Sequence, residues 1–250
     1  MCFELDSLPP IPVLTGAAVS HRDLELEAAD GNRFAAFLAG PDEPSGTAVV
    51  ILPDVRGLYR FYEELALRFA ERGIAAIAID YFGRTAGSAK RGDDFEYMPH
   101  VQATTSEGIE ADVRAAVEHL RGQGARSIFT VGFCFGGRQS WLQATHGHGL
   151  AGAIGFYGRP GLGQDGSPGP TQRAGDVEGP VLGLFGGADQ AITPEDVAEF
   201  EAALSEAGIE HELVTYPGAP HSFFDRRYED FADASEDSWS RVLAFVDAHS

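Results

Sequence analysis

The chain has 250 residues, 44% of them hydrophobic, and a formal net charge of −20. That is enough apolar material for one sizeable core, and the acidic surplus excludes nucleic acid and anionic membrane surfaces as expected partners. With only Cys2 and Cys134 there is no disulfide framework. No stretch reads as a signal peptide or a membrane span. The expectation is a cytoplasmic protein, monomer or homodimer, with an N-terminal extended arm over 1–18 and one α/β domain over 19–250.

In chain order, the Pro-rich start (Pro9, Pro10, Pro12) reads as irregular. His21 to Ala28 and Arg33 to Ala39 flank the turn signal Asp30-Gly31-Asn32, which predicts an antiparallel edge hairpin. Thr47 to Leu52 is a continuous apolar strand of the kind buried in parallel sheets. Phe61 to Arg72 is an amphipathic helix closed by Gly73, and Ile74 to Ile79 is a further strand. Thr85 to Pro99 is polar and Gly-containing and reads as a surface excursion. Ser106 to Arg121 carries Ile109, Val113, Val117 and Leu120 at helical spacing, with Gly122 as its cap.

Ile128 to Val131 is an apolar, β-branched strand that runs into Gly132-Phe133-Cys134-Phe135-Gly136-Gly137, and a helix is predicted over Arg138 to Thr145. Leu150 to Tyr157 is another strand. Gly158 to Gly179, dense in Gly and Pro, is the most loop-like stretch and a candidate lid. Pro180 to Phe185 ends in Gly186-Gly187-Ala188-Asp189; Thr193 and Pro194 are the N-cap and first residue of a helix. Glu210 to Tyr216 is the last strand and Asp230 to Ala248 the closing helix, with Trp239, Leu243 and Val246 facing inward. Strands alternating with helices imply a mostly parallel α/β sheet with right-handed crossovers.

The run Gly132 to Gly136 has the G-x-nucleophile-x-G pattern of an α/β-hydrolase elbow, with Cys134 in the nucleophile position. A thiol held in a tight turn at a helix N-terminus meets a dipole that favours the thiolate. Cys134, Asp189 and His221 follow one another in the hydrolase order, each just past a predicted strand. In that arrangement His221 takes the thiol proton and returns it to the leaving oxygen, while Asp189 fixes its tautomer. The amides of Phe135, next to the nucleophile, and Val55, after the Thr47–Leu52 strand, are the candidate oxyanion donors.

Five segments together resemble the dienelactone hydrolase (carboxymethylenebutenolidase) family: Leu52-Pro53-Asp54 with Gly57, Asp80-Tyr81-Phe82-Gly83-Arg84, the cysteine elbow, Gly186-Gly187-Ala188-Asp189, and Pro220-His221-Ser222-Phe223. The resemblance spans Thr47 to the C-terminus. It implies an α/β-hydrolase fold and cleavage of a small ester or lactone through a thioester acyl-enzyme, with neither metal nor organic cofactor. It also implies substrate-side roles for Asp54, Tyr81 and Arg84, where Asp54 occupies the position of a family glutamate and Arg84 matches the first of two carboxylate-binding arginines. Asp225 stands where the second arginine is expected and would repel a carboxylate; Arg226, Arg56 and Arg159 are the substitutes on offer. Two other readings keep the elbow without hydrolysis, a small-ligand-binding homologue and a thiol redox sensor.

Overall fold

The computed structural model describes residues 6–43, 45–92 and 94–250; Cys2 and the first five residues of the proposed arm lie outside them. Residues 6–18 contain no helix or strand. The chain divides into two compact units, Leu5–Ile128 and Phe129–Ser250.

In the first unit, β1 (Val19–Glu27) and β2 (Arg33–Pro41) form the expected hairpin, with Val19 opposite Pro41 and Glu27 opposite Arg33. The turn closes because Asp30 Oδ1 accepts the Asn32 amide at 3.1 Å and Gly31 takes φ +83°. β2 continues antiparallel to β4 (Ala75–Ile79), which pairs in parallel with β3 (Thr47–Leu52). β3 is buried from Ala48 to Leu52, which explains its unbroken apolar sequence. Between β3 and β4 runs α1 (Arg60–Ala70), which buries Phe61, Tyr62, Leu65 and Phe69.

The polar excursion after β4 is more ordered than its sequence suggests. It holds a single helical turn, α2 (Gly83–Ala86), and α3 (Tyr97–Gln102), neither of which buries a residue. Phe82, Phe95 and His100 form a ring cluster there, with Phe95 and His100 stacked at 4.9 Å. Arg91 lies over Phe95 and donates to the buried Asp80 at 2.7 Å. Rings and one buried ion pair therefore hold the segment in place of an apolar stripe. α4 (Ser106–Gly122) buries Ile109, Val113, Val117 and Leu120 as expected, capped by the Thr105 hydroxyl. It runs through Gly122 rather than stopping there, and Gly124, at φ +96°, makes the exit.

The second unit takes up most of β5 (Ser127–Phe133), then α5 (Phe135–Gln143), β6 (Gly152–Phe156), β7 (Val181–Gly186), α6 (Pro194–Glu206), β8 (His211–Tyr216) and α7 (Ala232–Ala248). β5, β6, β7 and β8 pair in that order, all parallel. α6 begins at the predicted Thr193-Pro194, with a full capping box to Asp196. The unit's core is aromatic. Trp141 is fully buried, donates its indole N–H to the Leu182 carbonyl at 3.1 Å, and packs on Phe185 and Phe200. Gly155 makes room for it, since a Cβ there would lie 2.4 Å from the indole. Truncating such a residue typically costs about 3–5 kcal/mol. On α7, Val242 and Phe245 face inward with Trp239 and Val246, while Leu243 is only half-buried.

Among the described residues no helix is long and apolar enough to cross a membrane.

Candidate active site

β5 delivers Cys134. The helix expected from Arg138 starts three residues earlier, at Phe135, so Cys134 is its N-cap residue, at φ +55° and ψ −111°. A non-glycine residue rarely adopts this conformation, and it costs about 1–3 kcal/mol. Four backbone constraints enforce it. Cys134 donates its amide to the Phe156 carbonyl at 3.0 Å and accepts from the Arg138 amide at 3.2 Å. A Cβ on Gly132 would sit 1.9 Å from the Gly136 carbonyl oxygen, and one on Gly137 2.6 Å from that of Phe156. The elbow glycines are thus places where backbone meets backbone. The thiol is free and half-buried.

β7 and β8 deliver Asp189 and His221. Ala188 donates its amide to the Ala219 carbonyl at 2.9 Å, and Gly187 to that of Tyr216 at 2.8 Å. These bonds clip together the two loops that carry Asp189 and His221. His221 Nδ1 lies 2.6 Å from Asp189 Oδ2, and the other carboxylate oxygen accepts the Ala191 amide at 2.8 Å. The Asp189 side chain is 1% exposed and that of His221 29%. A buried acceptor on Nδ1 leaves Nε2 as the nitrogen for proton transfer.

The other residues named from sequence lie in the first unit. Asp54 is fully buried; its Oδ1 accepts the Arg56 amide at 2.9 Å, and its own amide donates to the Tyr62 hydroxyl at 2.9 Å. Val55 is half-buried in the same turn. Tyr81 is buried and donates its hydroxyl to the Pro53 carbonyl at 2.9 Å, so it holds this turn from the far side. Asp80 adds a third brace through the Leu58 amide.

Arg84 is engaged elsewhere than its sequence assignment implies. Its guanidinium donates to Asp112 at 2.5 Å and to Asp30 at 2.8 Å, and Asn32 also donates to Asp112 at 2.9 Å. The hydrogen bond from Arg84 holds the Asp30 carboxyl below its usual range, while burial pushes that of Asp112 up. A substrate carboxylate would have to compete with both aspartates for this cation. Of the three possible substitutes, Arg56 is buried with its Nε 4.0 Å from Asp54, and Arg159 and Arg226 are exposed.

Sequence reasoning missed Tyr157 and the setting of Asp225. Tyr157 is fully buried; its hydroxyl donates to Asp225 at 2.9 Å and its ring centroid lies 4.9 Å from that of His221. Asp225 is 1% exposed. Nothing in the run Phe156-Tyr157-Gly158 distinguishes it from an ordinary strand end.

The family model for the dienelactone hydrolase family matches residues 34–250. The chain belongs to that family. As a member of it, the chain is a hydrolase of carboxylic esters or lactones. It is 31% identical over 225 residues to an Escherichia coli protein provisionally named carboxymethylenebutenolidase, covering 85% of this chain and 82% of that one. It is 28% identical over 260 residues to a carboxymethylenebutenolidase of Rhodococcus opacus, covering 100% and 97%. The crystal structure of a provisionally named dienelactone hydrolase from Klebsiella pneumoniae superposes with a TM-score of 0.80 at 25% identity, covering 92% of this chain and 98% of that one. The fold is therefore the α/β-hydrolase fold, as the elbow and the order of elements predict.

Proposed function

We propose that this dienelactone hydrolase cleaves a small ester or lactone with Cys134 as nucleophile, His221 as base and acid, and Asp189 as the group that orients it. His221 Nε2 takes the thiol proton, and the thiolate attacks the carbonyl carbon to give a tetrahedral oxyanion. The Phe135 amide, first in α5 and aligned with its dipole, is a donor to that oxygen. Collapse breaks the carbon–oxygen bond, and the imidazolium gives its proton to the leaving alkoxide. From an ester this frees an alcohol; from a lactone the hydroxyl stays tethered to the acyl group. Water, deprotonated by His221, then cleaves the thioester, releasing the acid and restoring the thiol. No step calls for a metal or an organic cofactor.

The observation that carries this reading is the 2.6 Å bond between His221 and the buried Asp189, in the unit that also holds the strained Cys134. An acid that orients a histidine serves proton shuttling, whereas a redox sensor needs only an activated thiol.

The test is intact-protein mass spectrometry after a brief mix with activated esters and lactones, quenched in acid. The expected result is a transient acyl adduct on the peptide carrying Cys134, absent in Cys134→Ala, which keeps its fold. Undiminished turnover by Cys134→Ala would overturn the assignment.

A further inference from the structure

Among the described residues, three that are not glycine have positive φ: Cys134 at +55°, Ser222 at +64° and Tyr157 at +37°. Such strain persists only where the surroundings over-determine it, and it gathers at functional sites. The reaction above accounts for the first, and the second directly follows the proposed base. It leaves Tyr157 without a part.

Tyr157 directly follows β6 and is fastened at both ends. Its amide donates to the Leu184 carbonyl at 2.7 Å and its hydroxyl to Asp225 Oδ2 at 2.9 Å. Its ring lies against the His221 imidazole at 53°. The edge-on ring of Phe223, at 5.6 Å, and those of Phe133 and Phe156, at 6.2 and 6.0 Å, box it in. Asp225, four residues after His221, is brought back by its amide bond to the Ser222 carbonyl at 3.2 Å. One phenol is thus gripped by both ends of the 221–225 turn, the imidazole on its ring and the acidic side chain on its hydroxyl.

We propose that Tyr157, locked by its hydrogen bond to Asp225, is a positioning residue for the His221 imidazole. The proposal rests on His221 being the base. The Asp189 bond fixes Nδ1, and the Tyr157 ring, 4.9 Å from the imidazole, limits tilting about that contact. A phenol that donates to an acidic group also has an electron-richer ring, which suits an imidazolium better than a bare ring does. Asp225 therefore supports the base through Tyr157, at the position where an arginine was expected to hold substrate.

The experiment uses the full chain with p-nitrophenyl acetate as probe. Steady-state kinetics are read together with the low-field proton resonance of His221 Nδ1–H. Tyr157→Phe, which removes one oxygen atom, lowers kcat about tenfold, the equivalent of one charge-assisted hydrogen bond. It leaves KM within about twofold and shifts or broadens the resonance. Asp225→Asn, whose amide oxygen accepts the same bond, restores kcat to within about threefold of the parent, whereas Asp225→Ala behaves like Tyr157→Phe. Unchanged kcat and resonance in Tyr157→Phe, or an effect on KM alone, would overturn the proposal. Should Asp225→Ala fail to fold, Tyr157→Phe and Asp225→Asn decide the matter. A parent enzyme inert toward the ester, or one whose turnover survives Cys134→Ala, refutes the hydrolase mechanism instead; the resonance in Tyr157→Phe then judges the positioning role alone.

Discussion

Asp189 Oδ2 and His221 Nδ1 stand 2.6 Å apart, the aspartate side chain buried and the imidazole open to solvent on one side. The pair is set by main chain rather than by its own attraction, because the Ala188–Ala219 and Gly187–Tyr216 bonds fix both loops first. Asp189→Asn should therefore keep the fold while presenting the wrong hydrogen-bonding partner to Nδ1. We expect kcat to fall about 10²- to 10⁴-fold with an unchanged melting temperature. Steady-state hydrolysis of an activated ester and a thermal melt check both halves, and retention of more than a tenth of the activity would count against Asp189 as the orienting acid.

How far the sequence carries depends on what kind of interaction holds each element. Thr47–Leu52 and the Thr193-Pro194 helix start are recovered to the residue, since continuous burial and a capping box are written locally. Asp189 and His221, which stand 2.6 Å apart, sit at strand ends that the sequence marks with its local pattern. α3 is not, because it buries nothing and carries Pro99 in its first turn, so no apolar period announces it. The start of α5 is hidden because Phe135-Gly136-Gly137 reads as loop, whereas the glycines are there to let the helix touch the Phe156 carbonyl. Tyr157 and Asp225 are 68 residues apart, and no local pattern encodes a bond at that range.

The glycines of the elbow give a contrast that separates helix propensity from backbone contact. Gly132→Ala places a Cβ 1.9 Å from the Gly136 oxygen, a main-chain atom with no room to yield. It should destabilise by about 3 kcal/mol or more, lowering the melting temperature by roughly 6 °C or more in a chain of this size. Gly122→Ala sits in helical backbone of α4 with nothing within 4 Å and should stabilise by about 0.5–1 kcal/mol. Equal effects from the two substitutions would show that the elbow relaxes around a Cβ.

The Gly158–Gly179 segment, a candidate lid by composition, is tied to α5 by Arg138. Its guanidinium reaches the carbonyls of Arg159 at 3.1 Å, Gly161, and Pro168 at 3.5 Å. Burial lowers the pKa of this guanidinium, with Arg159 adding to the effect. The loop also closes on itself, with Thr171 donating to Pro160 at 3.0 Å and Gly163 to Ser167 at 2.8 Å. Hydrogen exchange should show slow amides at Gly163 and Thr171 in the parent and at least tenfold faster exchange in Arg138→Ala. Fast exchange in both would restore the mobile-lid expectation.

Tyr216 supplies a pH signature of folding. Its hydroxyl donates to Asp237 at 2.8 Å, and burial, followed by that bond, raises its pKa well above the ordinary tyrosine value of 10.0. Below pH 10 the residue is neutral in both folded and unfolded chains and contributes no slope. Above it the unfolded chain loses the proton while the folded one keeps it, so stability falls by up to about 1.4 kcal/mol per pH unit. Denaturant titrations at pH 8 and pH 11 should show a smaller alkaline loss in Tyr216→Phe than in the parent. Identical losses would mean that the hydroxyl titrates alike in both states.

Substrate charge is the last point on which residues and family pattern part. Where a carboxylate-binding arginine is expected, this chain buries Asp225 behind Tyr157, whose ring lies against His221. Arg84, the other expected cation, already answers to Asp30 and Asp112. An anionic acyl group would approach His221 with an acidic residue behind the Tyr157 ring. We expect a neutral ester to exceed its carboxylate-bearing analogue at least tenfold in kcat/KM, a difference of about 1.4 kcal/mol. The gap should narrow at high salt, where exposed charges are screened. A paired series differing only in that carboxylate, at matched leaving group, measures it. Preference for the anionic member would mean that the buried Asp225 does not act on the acyl group.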